Sequence, residues 1–178
     1  MSVKLIISGF GGQGVLLLGD IIAYSALKEG KNVTWVPSYG PESRGGTCNC
    51  QVICSEKSIG SPVVDEPDIL IAFNLPSVDK FMKTVKKGGI MLYDSSLVKE
   101  KPKRDDIKIY GIPATEISDV ANMVMLGAYI ELTKNIKLET VVNLALPEKL
   151  KGGKEKFIPK NIKAIKKGIE YVLKNFNF

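Results

Sequence analysis

Six residues, Gly9-Phe10-Gly11-Gly12-Gln13-Gly14, separate a short apolar run, Val3 to Ile7, from a long one, Val15 to Leu27. A strand, a glycine-rich turn and a helix in that order commit the chain to a layered α/β fold, because the helix must fold back onto the sheet. The same turn suits an anion. Glycines let the backbone bend tightly, and unpaired N–H groups at the helix start, with the positive end of its dipole, point at whatever sits there. Two readings stay open for a G-x-G-x-x-G in this context: a phosphate loop, or a tight βα turn with no ligand.

A dinucleotide site would need an acidic residue about 20 positions further on, for the ribose hydroxyls. Thr34, Trp35 and Val36 occupy that window, at the end of a second strand over Asn32 to Val36. The first charges beyond are Glu42 and Arg44, in Glu42-Ser43-Arg44-Gly45-Gly46. An arginine between glycines suits a phosphorylated ligand or a partner's carboxylate through its bidentate fork. NAD is therefore not the leading ligand. A stand-alone nucleotide-binding regulator, or an NAD(P)-dependent reductase using Arg44 on a 2′-phosphate, is the alternative.

The chain has 178 residues, enough for one good core, and one domain over 1–178 is expected. Asp20 and Tyr24 interrupt the longest apolar stretch, so no membrane span is predicted. The sequence opens on a strand pattern rather than a signal-peptide pattern, and a cytoplasmic protein is the expectation. Residues 149–178 hold nine lysines against two glutamates, a net of +7, leaving −1 for the rest. Yet Ile162, Ile165, Ile169, Val172 and Phe176 recur at helical spacing, so these lysines line the solvent face of an amphipathic helix. Without interleaved aromatic residues they do not argue for nucleic acid.

Cys48, Cys50 and Cys54 share parity and would face one side of a strand. An odd count argues against a disulfide framework, and with no histidine in the chain a metal site would lack a fourth ligand. Small buried hydrophobes on a core face are the stronger reading, and no metal is expected.

Further along, strands are predicted over Gly46 to Ile53, Asp68 to Phe73, Ile90 to Tyr93 and Ile107 to Ile112. Helices are predicted from an N-cap at Ser77 to a stop at Lys86-Lys87-Gly88-Gly89, over Ala121 to Lys134, over Leu138 to Leu146, and from near Pro159. The pattern is a doubly wound α/β domain, Rossmann-like, with a mostly parallel sheet and helices on both faces. Its polar groups gather at the carboxyl ends of the strands: the Gly9–Gly14 turn, the Ser38–Gly46 loop, Asn74 and Asp94-Ser95-Ser96. Asn74 and Asp94 suit capping better than ligand contact, and Asn122 is ambiguous in the same way. No nucleophile–base pair emerges, and no catalytic residue is assigned.

GFGGQGV, PSYGPESRGG, NLPSVDKF, KKGG, NMVMLGA and the closing FIPKNIKAIKKG, with Asn161, Ala164 and Gly168, resemble in order the gamma subunit of 2-oxoacid:ferredoxin oxidoreductases. The resemblance implies a complex that decarboxylates a 2-oxoacid with thiamine diphosphate, passes electrons through [4Fe–4S] clusters to ferredoxin and delivers the acyl group to coenzyme A. It also implies that thiamine and clusters belong to other subunits, alpha, beta and in some cases a ferredoxin-like delta, so that this chain binds no cofactor alone. It associates the gamma domain with coenzyme A access and assembly. By position, Gly9, Gly11, Gly12, Gln13 and Gly14 would form a loop toward the shared site, joined by Arg44 and Asn122. The PSYGPESRGG form resembles subunits for 2-oxoglutarate or branched-chain 2-oxoacids more than the pyruvate type.

Overall fold

The computed structural model describes residues 2–40 and 46–176. Strand β1 (Ser2–Phe10) runs through the glycine turn into α1 (Val15–Lys28). Then come β2 (Asn32–Tyr39), β3 (Thr47–Ser55) and β4 (Ile69–Ala72), followed by α2 (Leu75–Phe81) and a 3-10 turn, Met82–Thr84. Strand β5 (Ile90–Asp94), β6 (Lys108–Ile112), α3 (Ala114–Ile117) and α4 (Ala121–Thr133) complete the middle of the chain. The last third is helical: α5 (Leu138–Thr140), a π segment (Val141–Ala145), α6 (Leu146–Lys149) and α7 (Ile158–Asn175).

The six strands form one sheet in the order β2-β3-β1-β4-β5-β6. Strands β1, β4, β5 and β6 pair in parallel, with Ile7 beside Ile71 and Ile71 beside Leu92. Strand β3 is antiparallel to both its neighbours, so β2 points the same way as β1 without touching it. The mostly parallel α/β sheet expected from the sequence is present, with one strand reversed and inserted.

That insertion is the main departure from a simple βαβ unit. Alternation of apolar residues marks a strand but carries no information about direction. Over residues 47–55, facing residues of β3 satisfy both neighbours at once: Ile7 lies opposite Cys50, and Cys50 opposite Pro37. Cys48, Cys50 and Cys54 are all buried and join the same core cluster, as their shared parity requires.

The two faces are unequally covered. One carries the large core, where Leu5, Ile7, Ile71 and Leu92 pack with residues of α1, α4 and α7. The other carries a smaller cluster that includes Ile6, Leu70, Met91 and Tyr93, with Val78 from α2. Helix α4 is apolar on all sides because it is enclosed, with every residue from Met123 to Ile130 buried. Helix α7 lies across it at very short range. A Cβ on Gly127 would sit 2.0 Å from the Ile165 carbonyl oxygen, and one on Gly168 would sit 2.0 Å from that of Val124.

Four local expectations change. The cap of α2 is Asn74, whose Oδ1 accepts from the Ser77 amide at 2.9 Å. The Ser77 hydroxyl instead accepts from Ser8 Oγ at 2.9 Å. The helical stretch ends in a 3-10 turn at Thr84, before Lys86, because Gly88 and Gly89 are engaged by Asp106 and Lys86 carbonyls in a separate turn. The run from Leu138 widens into π geometry ahead of Pro147, which has no N–H to continue the ordinary ladder. Helix α3 is four residues long, too short to announce itself by periodicity.

Candidate functional site

The parallel strands β1, β4, β5 and β6 end at one edge, where an open α/β sheet places its ligands. The glycine turn is at its centre. Gly14 is the N-cap of α1, with φ 75° and ψ 20°, a left-handed conformation that costs any residue with a Cβ. Having no side chain, it gives the first-turn amides of α1 no side-chain cap of its own. Its carbonyl oxygen accepts from Leu18 N at 3.0 Å and from Asn122 Nδ2 at 3.3 Å. Asn122 therefore holds the turn from across the molecule, and a Cβ on Gly14 would meet its Nδ2 at 2.3 Å.

Gln13 folds back into the turn. Its Oε1 accepts from Phe10 N at 2.6 Å and from Asn74 Nδ2 at 3.2 Å, tying β1 to the end of β4. Gly9 is packed rather than open, since a Cβ there would lie 2.6 Å from Gln13 Oε1. Gly11 N donates to the Gly46 carbonyl at 2.9 Å, which anchors the start of β3 beside the turn. Gly12 is the exposed apex: its φ is +99°, and a Cβ there would meet no atom of the described residues within 4 Å. Six of the seven sequence-nominated residues thus converge. Arg44, with Glu42, lies outside the described residues.

Two hollows flank the turn and share Gly12, Gly14 and Leu17. The first, about 600 Å³, is lined by the amide-bearing start of α1 with Tyr39, Gly46, Thr47 and Cys48. Tyr39 is 69% exposed at its mouth. The second, about 580 Å³, lies toward the starts of α4 and α7 and includes Gln13, Asn122, Phe157, Lys160 and Asn161. Lys160 pairs with Asp119 on its wall and holds that carboxyl below the usual carboxylate range.

The remaining polar candidates are structural. Asp94 is fully buried, and it accepts from Ser96 N at 3.0 Å and from Thr115 Oγ1 at 2.6 Å. It also accepts from Thr115 N at 3.2 Å, so it caps α3 from the end of β5. The three thiols are poor ligands. Burial raises all of them, Cys54 to about 11 and Cys50 to about 12. Among the described residues, no group of three cysteine, aspartate or glutamate side chains is arranged to hold a metal ion. Three thiols buried in the core do not fit the four-thiolate set of an iron–sulfur cluster.

A dinucleotide site fits poorly too. The strand beside β1 is β3, which begins at the glycine turn instead of ending there, so the sheet offers Thr47 and Asn49 where an acidic strand end would be needed. The second hollow was less visible in the sequence. Asn161 is a polar residue in the buried stripe of α7, only 6% exposed, and that misfit was its one local signal.

Residues 4–171 match the family model described as pyruvate ferredoxin/flavodoxin oxidoreductase. The chain is 41% identical, over 97% of its length, to the ketoisovalerate oxidoreductase subunit VorA of Methanothermobacter marburgensis, of which it spans only 37%. It is 38% identical to the 2-oxoglutarate synthase subunit KorC of Methanocaldococcus jannaschii, covering 96% of this chain and 94% of that one. Among solved structures, the keto/oxoacid ferredoxin oxidoreductase gamma subunit of Geobacter sulfurreducens superposes with a TM-score of 0.77 at 33% identity, over 97% and 99% of the two chains. The 2-oxoglutarate:ferredoxin oxidoreductase of Magnetococcus marinus, solved with 2-oxoglutarate, coenzyme A and succinyl-CoA bound, gives 0.85 at 26% identity. That match covers 99% of this chain and 32% of the other. No helix among the described residues is long and apolar enough to cross a membrane. The chain belongs to the pyruvate ferredoxin/flavodoxin oxidoreductase family, in its gamma-type branch.

Proposed function

We propose that residues 1–178 act as a single domain, the gamma component of a cytoplasmic 2-oxoacid:ferredoxin oxidoreductase. The complex converts a 2-oxoacid and coenzyme A to acyl-CoA and carbon dioxide, and the two electrons released reduce ferredoxin. Thiamine diphosphate and [4Fe–4S] clusters, carried by alpha, beta and ferredoxin-like delta partners, supply the decarboxylation and electron transfer. This chain serves the coenzyme A side of the shared site and the assembly around it. Its relatives' names, ketoisovalerate oxidoreductase and 2-oxoglutarate synthase, support a branched-chain or dicarboxylic 2-oxoacid as substrate.

The observation that carries the reading is the start of α1, which has no side-chain cap from Gly14 and opens at Gly12 and Gly14 onto the first hollow. Backbone N–H groups there are free to meet phosphate oxygens, and the helix dipole adds favourable charge. Arg44 follows Gly40 by four residues and precedes Gly46 by two, both on the wall of that hollow, and we assign its guanidinium to the same phosphates. Gly9, Gly11, Gln13 and Asn122 hold the turn in shape.

Arg44→Ala in the assembled enzyme tests the assignment. Loss of a charge-assisted hydrogen bond is worth roughly 1.5–3 kcal/mol, so apparent affinity for coenzyme A should fall on the order of tenfold to a hundredfold. Decarboxylation without coenzyme A should change much less. An intact complex with unchanged coenzyme A dependence would remove Arg44 from the site. The isolated chain should show no 2-oxoacid oxidation with thiamine diphosphate and coenzyme A added, and turnover by it alone would overturn the reading.

A further inference from the structure

Helix α7 has one face that the chain's own packing leaves uncovered. Its buried stripe, Asn161, Ala164, Ile165, Gly168 and Val172, is spent on the core and on the crossing with α4. The outer face carries Lys163, Lys166, Lys167, Glu170 and Lys174, all exposed. One apolar residue interrupts this polar row: Leu173, 60% exposed. Leu173 shares a hollow of about 480 Å³ with Ile169 and with Leu138 of α5, both half-buried. Lys166, Glu170 and Lys174 complete its lining.

The charges on this face do not balance. Lys160 pairs with Asp119, and Lys167 Nζ donates to the Ile117 carbonyl at 3.1 Å. Lys163, Lys166 and Lys174 have no ion-pair partner among the described residues. Four lysines against Glu170 leave the face a net charge of +3. Lys163 stands three and four residues from Lys166 and Lys167, on one side of the helix, so these ammonium groups repel one another. A face meant only for water mixes both signs at that spacing and avoids the repulsion. The hollow is aliphatic and lacks an aromatic ring, so it offers no platform for a nucleic-acid base. An apolar pocket rimmed by unpaired cations has the anatomy of a protein interface, and the matching surface is an apolar side chain flanked by carboxylates.

We propose that the outer face of α7 docks an acidic segment of a partner subunit. An apolar side chain of that segment fills the hollow over Ile169 and Leu173, and carboxylates beside it pair with Lys166 and Lys174. Lys163 and Lys167 add to the field that steers its approach. The proposal rests on the subunit reading above and is independent of the coenzyme A assignment.

The test titrates the full chain onto the alpha, beta and delta subunits at low and high salt. Lys166→Glu combined with Lys174→Glu should raise the dissociation constant about tenfold at low salt and flatten its salt dependence. Leu173→Ser should also raise it about tenfold, with the salt dependence kept. Lys101→Glu combined with Lys103→Glu, an equal charge change on exposed residues before β6, should leave it within about twofold. A carbodiimide, which joins an amine only to a carboxylate in contact with it, should link Lys166 or Lys174 to an aspartate or glutamate of a partner in the wild-type complex. Every substituted side chain is exposed, so the variants should keep the wild-type melting temperature. Unchanged affinity and salt dependence in both α7 variants would overturn the proposal and spare the subunit reading. An equal loss from the Lys101 and Lys103 pair would reduce the effect to overall charge and overturn it too. Nucleic acid held by the wild-type chain and lost from the double-glutamate variant would give the face to another class of partner. A wild-type chain with no affinity for these subunits would end both the proposal and the subunit reading.

Discussion

Glycines do opposite work in two regions of this molecule. At the crossing of α4 and α7, Gly127 and Gly168 are needed because backbone touches backbone, with a neighbouring carbonyl oxygen 2.0 Å from where each Cβ would be. At the apex of the strand-end turn, no atom of the described residues comes within 4 Å of the absent Cβ of Gly12. The first region is finished within the chain. The second is open among the described residues. Gly14 stands between them, left-handed in backbone and closed off on one side by Asn122.

The largest effect should come from the crossing. Gly168→Ala forces α7 off α4 or bends the carbonyl of Val124 aside, an overpacking cost of about 3 kcal/mol. Thermal unfolding of the isolated chain should then drop by roughly 6–12 °C. A shift of under about 2 °C would mean that the helices have slack and that the contrast with Gly12 is overstated.

Gly14→Ala should cost about 2 kcal/mol, from left-handed backbone strain and the contact with Asn122. Only the contact can be relieved. Combining it with Asn122→Ala should therefore cost less than the sum of the single changes, by on the order of 1 kcal/mol in a double-mutant cycle. Strict additivity would show that Asn122 does not press on the turn.

Gly19 sharpens the packed class further, since a Cβ there would lie 2.4 Å from Cys50 Sγ. That packing helps to bury the Cys50 thiol, which burial pushes from the ordinary 9.0 to about 12. A thiol raised in the folded state stabilises fully below the unfolded value and loses that contribution as pH climbs toward the folded one. Stability should thus decline between pH 9 and 12, by about 1 kcal/mol for this thiol one unit into the window. Denaturant unfolding of Cys50→Ala across that range should show a shallower decline than wild type. Parallel curves would mean that water reaches the thiol.

Much of this was legible beforehand, and the exceptions share a cause. The ends of β1 and α1, the enclosure of α4 and the common side of the three cysteines follow from periods of two and 3.6, which a single segment displays. The direction of β3 does not, because alternation reads the same from either end. The choice of Asn74 over Ser77 as a cap followed from where the helix starts, at Leu75 with Pro76 in its first turn, which puts Ser77 inside the helix and leaves its hydroxyl to Ser8, 69 residues away. Asn122 braces the glycine turn through a bond spanning 108 residues, which no local pattern announces. The second hollow was hidden for the same reason. Its walls come from α1, α4 and α7, and no local pattern connects Gln13 with Asn161.

Gly12→Ala tests the central claim most directly, because the described residues leave the added methyl free of steric contact. The substitution should lower the stability of the isolated chain by only about 1 kcal/mol, the cost of its left-handed backbone. In the assembled enzyme the account predicts an apparent affinity for coenzyme A weakened on the order of tenfold, with the mass of the complex unchanged. An assembled Gly12→Ala enzyme that saturates with coenzyme A as the wild type does would contradict it, and would make the apex an ordinary turn.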